Sequence, residues 1–145
     1  MQPSFCNLAA LRRAMRRVNI LYDEALAPCG LRITQFSLLS NIERMASPAV
    51  SQLAEELVMD RSALAHTLKP LERDGLVAVA ADPNDRRVKR ISLTDAGRAR
   101  KAQGAALWRA AQDRFEAALG AKQAKAMRAL MDTLADSAFA DRFNA

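Results

Sequence analysis

The 145-residue chain has room for one hydrophobic core of ordinary size but not for two independent ones. Half of its residues are hydrophobic, yet aromatics make up only 5% and alanine is abundant, a mix that suits closely packed helices and excludes an all-β architecture. Two cysteines, Cys6 and Cys29, exclude a disulfide framework or a cysteine-based metal site, and neither a signal peptide nor a run near the ~18 apolar residues of a membrane span is present, so a reducing, cytoplasmic setting is expected.

In chain order, Leu8, Leu11, Met15, Val18 and Tyr22 recur at helical spacing within residues 4–27, while Arg12, Arg13, Arg16 and Arg17 share another face. This predicts an amphipathic helix ended by Pro28-Cys29-Gly30, because proline cannot continue the hydrogen-bond ladder and glycine relaxes the turn. Like charges at such spacing ordinarily mark a solvated or interfacial face. A second helix is predicted over residues 31–45, with Phe36, Leu39, Ile42 and Met45 inward and Leu38 toward a neighbour. Ala46-Ser47-Pro48 is a breaker cluster, in which Ser47 is the predicted N-cap and Pro48 the predicted first residue of a helix leading to Leu57.

Leu53, Ala54 and Leu57, followed by Leu64, Leu68, Leu71 and Leu76, keep the three-and-four spacing of helices that share a small core. Val58-Met59-Asp60 lies between them, with Asp60 as the N-cap whose carboxylate meets the free N–H groups of the next turn. Ala54 is small enough for a close crossing, so the pair reads as a helix-turn-helix whose second helix stops at Asp74-Gly75. Two β-capable runs, residues 76–80 and 88–93, then flank the turn cluster Asp82-Pro83-Asn84-Asp85-Arg86-Arg87. Arg86, Arg87, Lys89 and Arg90 give this hairpin a basic tip, as an arm meeting phosphate or a narrow minor groove requires. Charge follows the same division within a chain of net charge +6. Residues 51–81 hold five carboxylates against three cations, whereas residues 82–101 hold seven cations against three carboxylates.

After Thr94, a candidate N-cap, two helices are predicted over residues 95–119 and 121–139, divided at Gly120. The first is rich in small contact residues beside Leu107, Trp108 and Phe115, and the second presents Ala124, Met127, Leu130, Met131, Leu134 and Ala138. These faces are broader than a lone head of this size needs, which points to a homodimer. If the second helix of the helix-turn-helix enters a major groove, the residues not committed to Leu64, Leu68 and Leu71 form its reading face: Arg61, Ser62, Ala65, His66 and Lys69. Ser62 and His66 can exchange hydrogen bonds with base edges, Arg61 and Lys69 suit bases or phosphates, and Ala65 offers a methyl contact.

The succession helix-turn-helix, DGLV, DPNDRR and ISLTDAGR resembles the MarR family of bacterial winged-helix transcription regulators, and the flanking helices extend the resemblance over nearly the whole chain. It implies one MarR-type domain over residues 1–145, mainly α with a small β-wing: a winged helix-turn-helix head at 31–94 and dimerisation helices at 4–30 and 95–141. It assigns Arg87 to the minor groove, Asp85 to a salt bridge that orients the tip, and Arg86 to the DNA backbone. Family members commonly open the second helix with a threonine after its leucine; here Arg32 stands in that place, leaving Thr34 as the candidate cap of a later start. A two-fold dimer would set its reading helices about 34 Å apart, matching half-sites one turn apart in an inverted repeat, and because nothing in the chain resembles a polymerase-recruiting or enzymatic module, repression by promoter occlusion is expected. Release by a small, often aromatic or phenolic, ligand would involve Arg16, Tyr22, Phe36 and Trp108, although at helical spacing each of these is ordinarily core or interface.

Two rival readings share the fold. Cys6 near the first turn of the first helix suits a thiolate, and thiol-based oxidant sensors exist in this family, although Tyr22 is the only tyrosine here where that branch has several. A winged helix used only as a protein-interaction adaptor differs from a regulator in lacking steep salt dependence toward duplex DNA. A single histidine, no glycine-rich phosphate loop and no Cys/His/Asp arrangement speak against an enzyme, and no cofactor is expected.

Overall fold

In the computed structural model, which describes residues 5–145, the chain runs α1 (Asn7–Leu26), α2 (Ile33–Arg44), α3 (Val50–Glu56), α4 (Arg61–Arg73), β1 (Val77–Ala81), β2 (Lys89–Leu93), α5 (Asp95–Leu119), α6 (Ala121–Ala135) and α7 (Ser137–Asn144). One compact unit extends to Trp108 and another from Arg109 to Ala145, the division falling inside α5. The helical fold with a two-stranded wing is the one expected from the sequence.

Helix α1 starts at Asn7, and Ser4, where the periodicity began, lies outside the described residues. It passes at Leu26 into a 3-10 turn, Ala27–Cys29, closed by the Gly30 N–H on the Ala27 carbonyl at 3.0 Å. Only Tyr22 and Leu26 of α1 are buried, so most of its apolar stripe is left uncovered by this chain. The start of α2 corrects the expectation for Thr34, which lies inside the first turn and caps nothing. Instead the Arg32 N–H donates to Gln35 Oε1 at 3.0 Å, and the Ile33 N–H donates to Asp23 Oδ1 at 2.7 Å. A carboxylate ten residues upstream, on α1, thus replaces the missing hydroxyl and ties α1 to α2.

Ser47 and Pro48 do not open the third helix, as their residue types suggest. Ala46 and Ser47 take positive φ values of 54° and 61°, which reverse the chain, and α3 begins only at Val50 with Ala49 as its N-cap. Between them Pro48 and Ala49 run extended beside β2: the Pro48 carbonyl accepts from the Ile91 N–H at 3.0 Å, and Ala49 bridges Arg90. Pro48 has no N–H to leave unpaired, so it tolerates this edge position.

Leu26, Leu39, Ile42, Leu53, Leu64, Leu71 and Ile91 are almost fully buried and come from α1, all three head helices and β2. Each contributes roughly 1.5–3 kcal/mol by leaving water, so the core fixes the helix-turn-helix and the base of the wing together. In the wing, β1 and β2 pair antiparallel from Val77↔Leu93 at the base to Ala81↔Lys89 near the tip. Val77, Ile91 and Leu93 face the core, while Ala78, Ala80 and Ala81 lie exposed.

Thr94 closes the wing onto α5. Its hydroxyl accepts from the Gly97 N–H at 3.0 Å and donates to the Gly75 carbonyl, while its own N–H donates to the Leu76 carbonyl at 3.1 Å. A side chain at position 97 has no space: a Cβ there would stand 1.9 Å from the Leu76 carbonyl oxygen. The LTDAG stretch is therefore a joint that needs a hydroxyl cap and a bare backbone two residues into the helix.

The second unit holds the end of α5 with α6 and α7. Arg128 of α6 donates to Glu116 of α5 at 2.8 Å, and Ala124 is buried. The last helix predicted from the sequence breaks in two at Asp136, whose carboxylate caps α7 by accepting from the Ala138 N–H at 2.7 Å. The periodicity of residues 121–139 ran through that cap because neither glycine nor proline marks it. No helix among the described residues is long and apolar enough to cross a membrane, and no three metal-ligating side chains gather among them.

Candidate nucleic-acid interface

Helix α4 divides its circumference between two tasks. Leu64, Leu68 and Leu71 are buried, whereas Arg61, Ser62, Ala65, His66 and Lys69 are all exposed. At 100° per residue those five fall within an arc of about 140°, a single face. Among the described residues neither Arg61 nor Lys69 has an ion-pair partner, so both charges are available to a ligand.

The entry to α4 is built for tightness. Asp60 accepts from the Ala63 N–H at 2.6 Å, as the sequence indicated, and orients the first turn. Before it, the Met59 N–H reaches back to the Ala54 carbonyl at 2.8 Å, which places Val58 at φ 52° with 70% of its surface exposed. A β-branched residue in this left-handed region is strained, and no residue type nearby signals it. The exit is the Gly75 turn at φ 71°. Near it, Pro70 removes the N–H that would have reached the His66 carbonyl.

The hairpin tip carries the expected arginine–carboxylate pair. Arg87 Nε and Nη2 donate to the two oxygens of Asp85 at 3.1 and 3.2 Å, and the Arg87 N–H donates to Asp85 Oδ1 at 3.1 Å. This fork holds the guanidinium of a side chain that is 91% exposed. The Arg87 side chain, and after it the Arg87 N–H, hold the Asp85 carboxyl below its ordinary value. Arg86 is exposed beside it, with no ion-pair partner among the described residues.

Arg90 corrects the sequence reading. It is not part of the tip: its Nε donates to Asp82 and its Nη1 to the Ser47 carbonyl at 3.3 Å. By residue type Asp82 is one turn residue among several, yet it is only 7% exposed, the sole buried charged side chain among the described residues. It also accepts from the N–H groups of Asn84 at 2.7 Å and Asp85 at 3.3 Å. Arg90 first, then the Asn84 N–H, holds its carboxyl below the ordinary range despite burial. The available signal was a carboxylate and an arginine facing each other near the ends of two pairing strands.

Of the four effector candidates, two touch each other. Phe36 is buried and stacks on half-buried Trp108, ring centroids 6.0 Å apart, as packing inside the first unit. Tyr22 is buried on α1, and Arg16 is exposed six residues earlier, about 120° away around the helix. Cys6 is exposed at the N-cap of α1, and Cys29 is buried, its thiol donating to the Leu26 carbonyl at 3.1 Å.

This geometry has close counterparts. Residues 31–89 match the MarR family model. The M. tuberculosis transcriptional regulator MosR, solved in complex with DNA, is 38% identical over 94% of this chain and 98% of its own, with a TM-score of 0.84. The chain belongs to the MarR family. Two further members agree in fold. The transcriptional repressor CouR, bound to a 23-mer DNA duplex, is 29% identical over 94% of this chain and 100% of its own, TM-score 0.79. A mutant MarR from E. coli complexed with operator DNA is 25% identical over 92% and 99%, TM-score 0.77. MarR-family proteins are DNA-binding transcription regulators rather than enzymes. The matched stretch runs from α2 to the start of β2 and includes every residue of the candidate reading face and wing tip.

Proposed function

We propose that this MarR-family chain is a homodimeric repressor that reads an inverted-repeat operator with α4 in the major groove and Arg87 in the adjacent minor groove. The observation that carries it is the pairing of an exposed, polar α4 face with a forked, outward Arg87 on the wing. Arg61, Ser62, Ala65, His66 and Lys69 would meet base edges and phosphates, and Arg86 the backbone, with Asp85 holding Arg87. Dimerisation is supported by α1: Leu8, Leu11 and Met15 fall within an arc of about 60° and are 54%, 38% and 59% exposed. An uncovered apolar stripe on the long first helix suits the same stripe of a second copy. The dimerisation helices in this reading are residues 4–30 and 95–141, and the head is residues 31–94.

Release by a small aromatic or phenolic ligand belongs to the same proposal. Arg16 and Tyr22 are the first positions to substitute, since Phe36 and Trp108 already serve the core. Binding of the purified protein to labelled duplexes selected from its own genome, measured by fluorescence anisotropy across a salt series, tests the core claim. Arg87→Ala is expected to weaken binding across sequences and to reduce the salt slope by about 1. Equal affinity of the two proteins removes the wing contact, and binding insensitive to salt overturns the regulator reading in favour of an adaptor.

A further inference from the structure

We infer that Asp82 and Arg90 are positioning residues for DNA binding, forming a lock that fixes the wing against the α2–α3 turn and thereby sets where Arg87 reaches. The inference rests on the reading that the wing carries a DNA contact.

The contacts form one continuous chain. Arg90 spans two anchors, the Asp82 carboxylate across the hairpin and the Ser47 carbonyl in the turn before α3. Ser47 can offer that carbonyl because it and Ala46 are held at positive φ. The Ile91 N–H on Pro48 and the Ala49 to Arg90 bridge fasten the same strand to the same turn. From the other end, Asp82 governs the tip. Its N–H donates to the Val88 carbonyl at 2.8 Å, closing the loop, and its Oδ1 receives the N–H groups of Asn84 and Asp85. Asp85 in turn holds Arg87 at two points. The route from the α2–α3 turn to the exposed guanidinium is therefore Ser47, Arg90, Asp82, Asp85, Arg87, each link a hydrogen bond.

A two-stranded hairpin with an alanine-rich outer strand has little packing of its own to set its angle. A buried, fully engaged carboxylate supplies what packing does not. Asp82 is too enclosed to touch a phosphate, and Arg90 has its Nε and Nη1 committed to the protein, so both act through Arg87.

A double-mutant cycle separates this role from a direct contact. Anisotropy with an operator-containing duplex would be measured for the wild type, Arg87→Ala, Arg90→Met and the double variant, with circular dichroism confirming the fold of each. Loss of one charged groove contact predicts about tenfold weaker binding for Arg87→Ala. Arg90→Met is expected to give a similar loss in the wild-type background and less than about twofold in the Arg87→Ala background, with no further change in salt slope. Additive losses, or a salt slope reduced again by Arg90→Met, overturn the inference, because Arg90 then meets DNA itself. An unaffected Arg90→Met beside a weakened Arg87→Ala overturns it as well. An unaffected Arg87→Ala instead overturns the underlying wing reading. Should Arg90→Met fail to fold, Asp82→Asn replaces it in the cycle: the amide can still accept from the loop N–H groups but loses the charge facing Arg90, and the same coupling or additivity decides.

Discussion

Replacing Gly97 by alanine tests the joint between wing and α5. The new Cβ would lie 1.9 Å from the Leu76 carbonyl oxygen, well over an ångström inside the roughly 3.3 Å at which carbon and carbonyl oxygen meet. That oxygen cannot simply withdraw, since it accepts from the Thr94 N–H and belongs to a buried leucine. Relieving the overlap costs about 1–3 kcal/mol in displaced backbone, and tearing the Thr94 hydroxyl from the Gly97 N–H adds about 1 kcal/mol. Better helix propensity returns about 1 kcal/mol, leaving a net loss of about 1–3 kcal/mol. Gly75→Ala is the control. Its Cβ meets nothing within 4 Å, so only the strain of φ 71° remains, about 1 kcal/mol. Urea unfolding of both variants at one protein concentration, with unchanged m, reads the two losses. A Gly97→Ala protein more stable than Gly75→Ala would refute the close-approach reasoning.

Asp60→Ala removes the carboxylate from the Ala63 N–H and should lower stability by about 1 kcal/mol, seen as a lower melting temperature; an unchanged melt would mean that solvent caps α4 equally well. The Asp85 carboxyl is held below its ordinary 3.8 by Arg87, so its contribution to an ordered wing is complete above about pH 3.8 and is lost as the pH falls through the depressed folded value. An NMR titration should place its midpoint under 3.8 and move it upward in Arg87→Ala; identical midpoints would dissolve the pair. Met15→Asp puts a charge into the uncovered α1 stripe and should give a monomer by light scattering, with operator affinity down at least about a hundredfold as the second half-site is lost. A persistent dimer would place the interface elsewhere.

What could be read from sequence was local. The α4 face follows from three leucines at fixed spacing between a capping aspartate and a stopping glycine, and Asp85 and Arg87 are two residues apart in a turn. What escaped depends on partners distant along the chain. Ser47 and Pro48 have the residue types of a helix start, but β2, more than forty residues later, recruits them as an edge. Asp82 resembles any turn aspartate until Arg90 closes over it. The α2 cap comes from Asp23, on another helix, where no spacing rule looks. Val58 is a different kind of omission, because nothing about a valine announces left-handed backbone.

The separation of duties around α4 bears on how such a protein changes its target. The leucines that hold the helix in place and the side chains of the proposed reading face occupy different arcs, so positions 62, 65 and 66 can be varied without disturbing what keeps the helix seated. If that face reads DNA as proposed, new operator preferences are within reach of single substitutions at little cost to folding, and a library randomised at those three sites should yield mostly well-folded proteins that differ in the bases they choose.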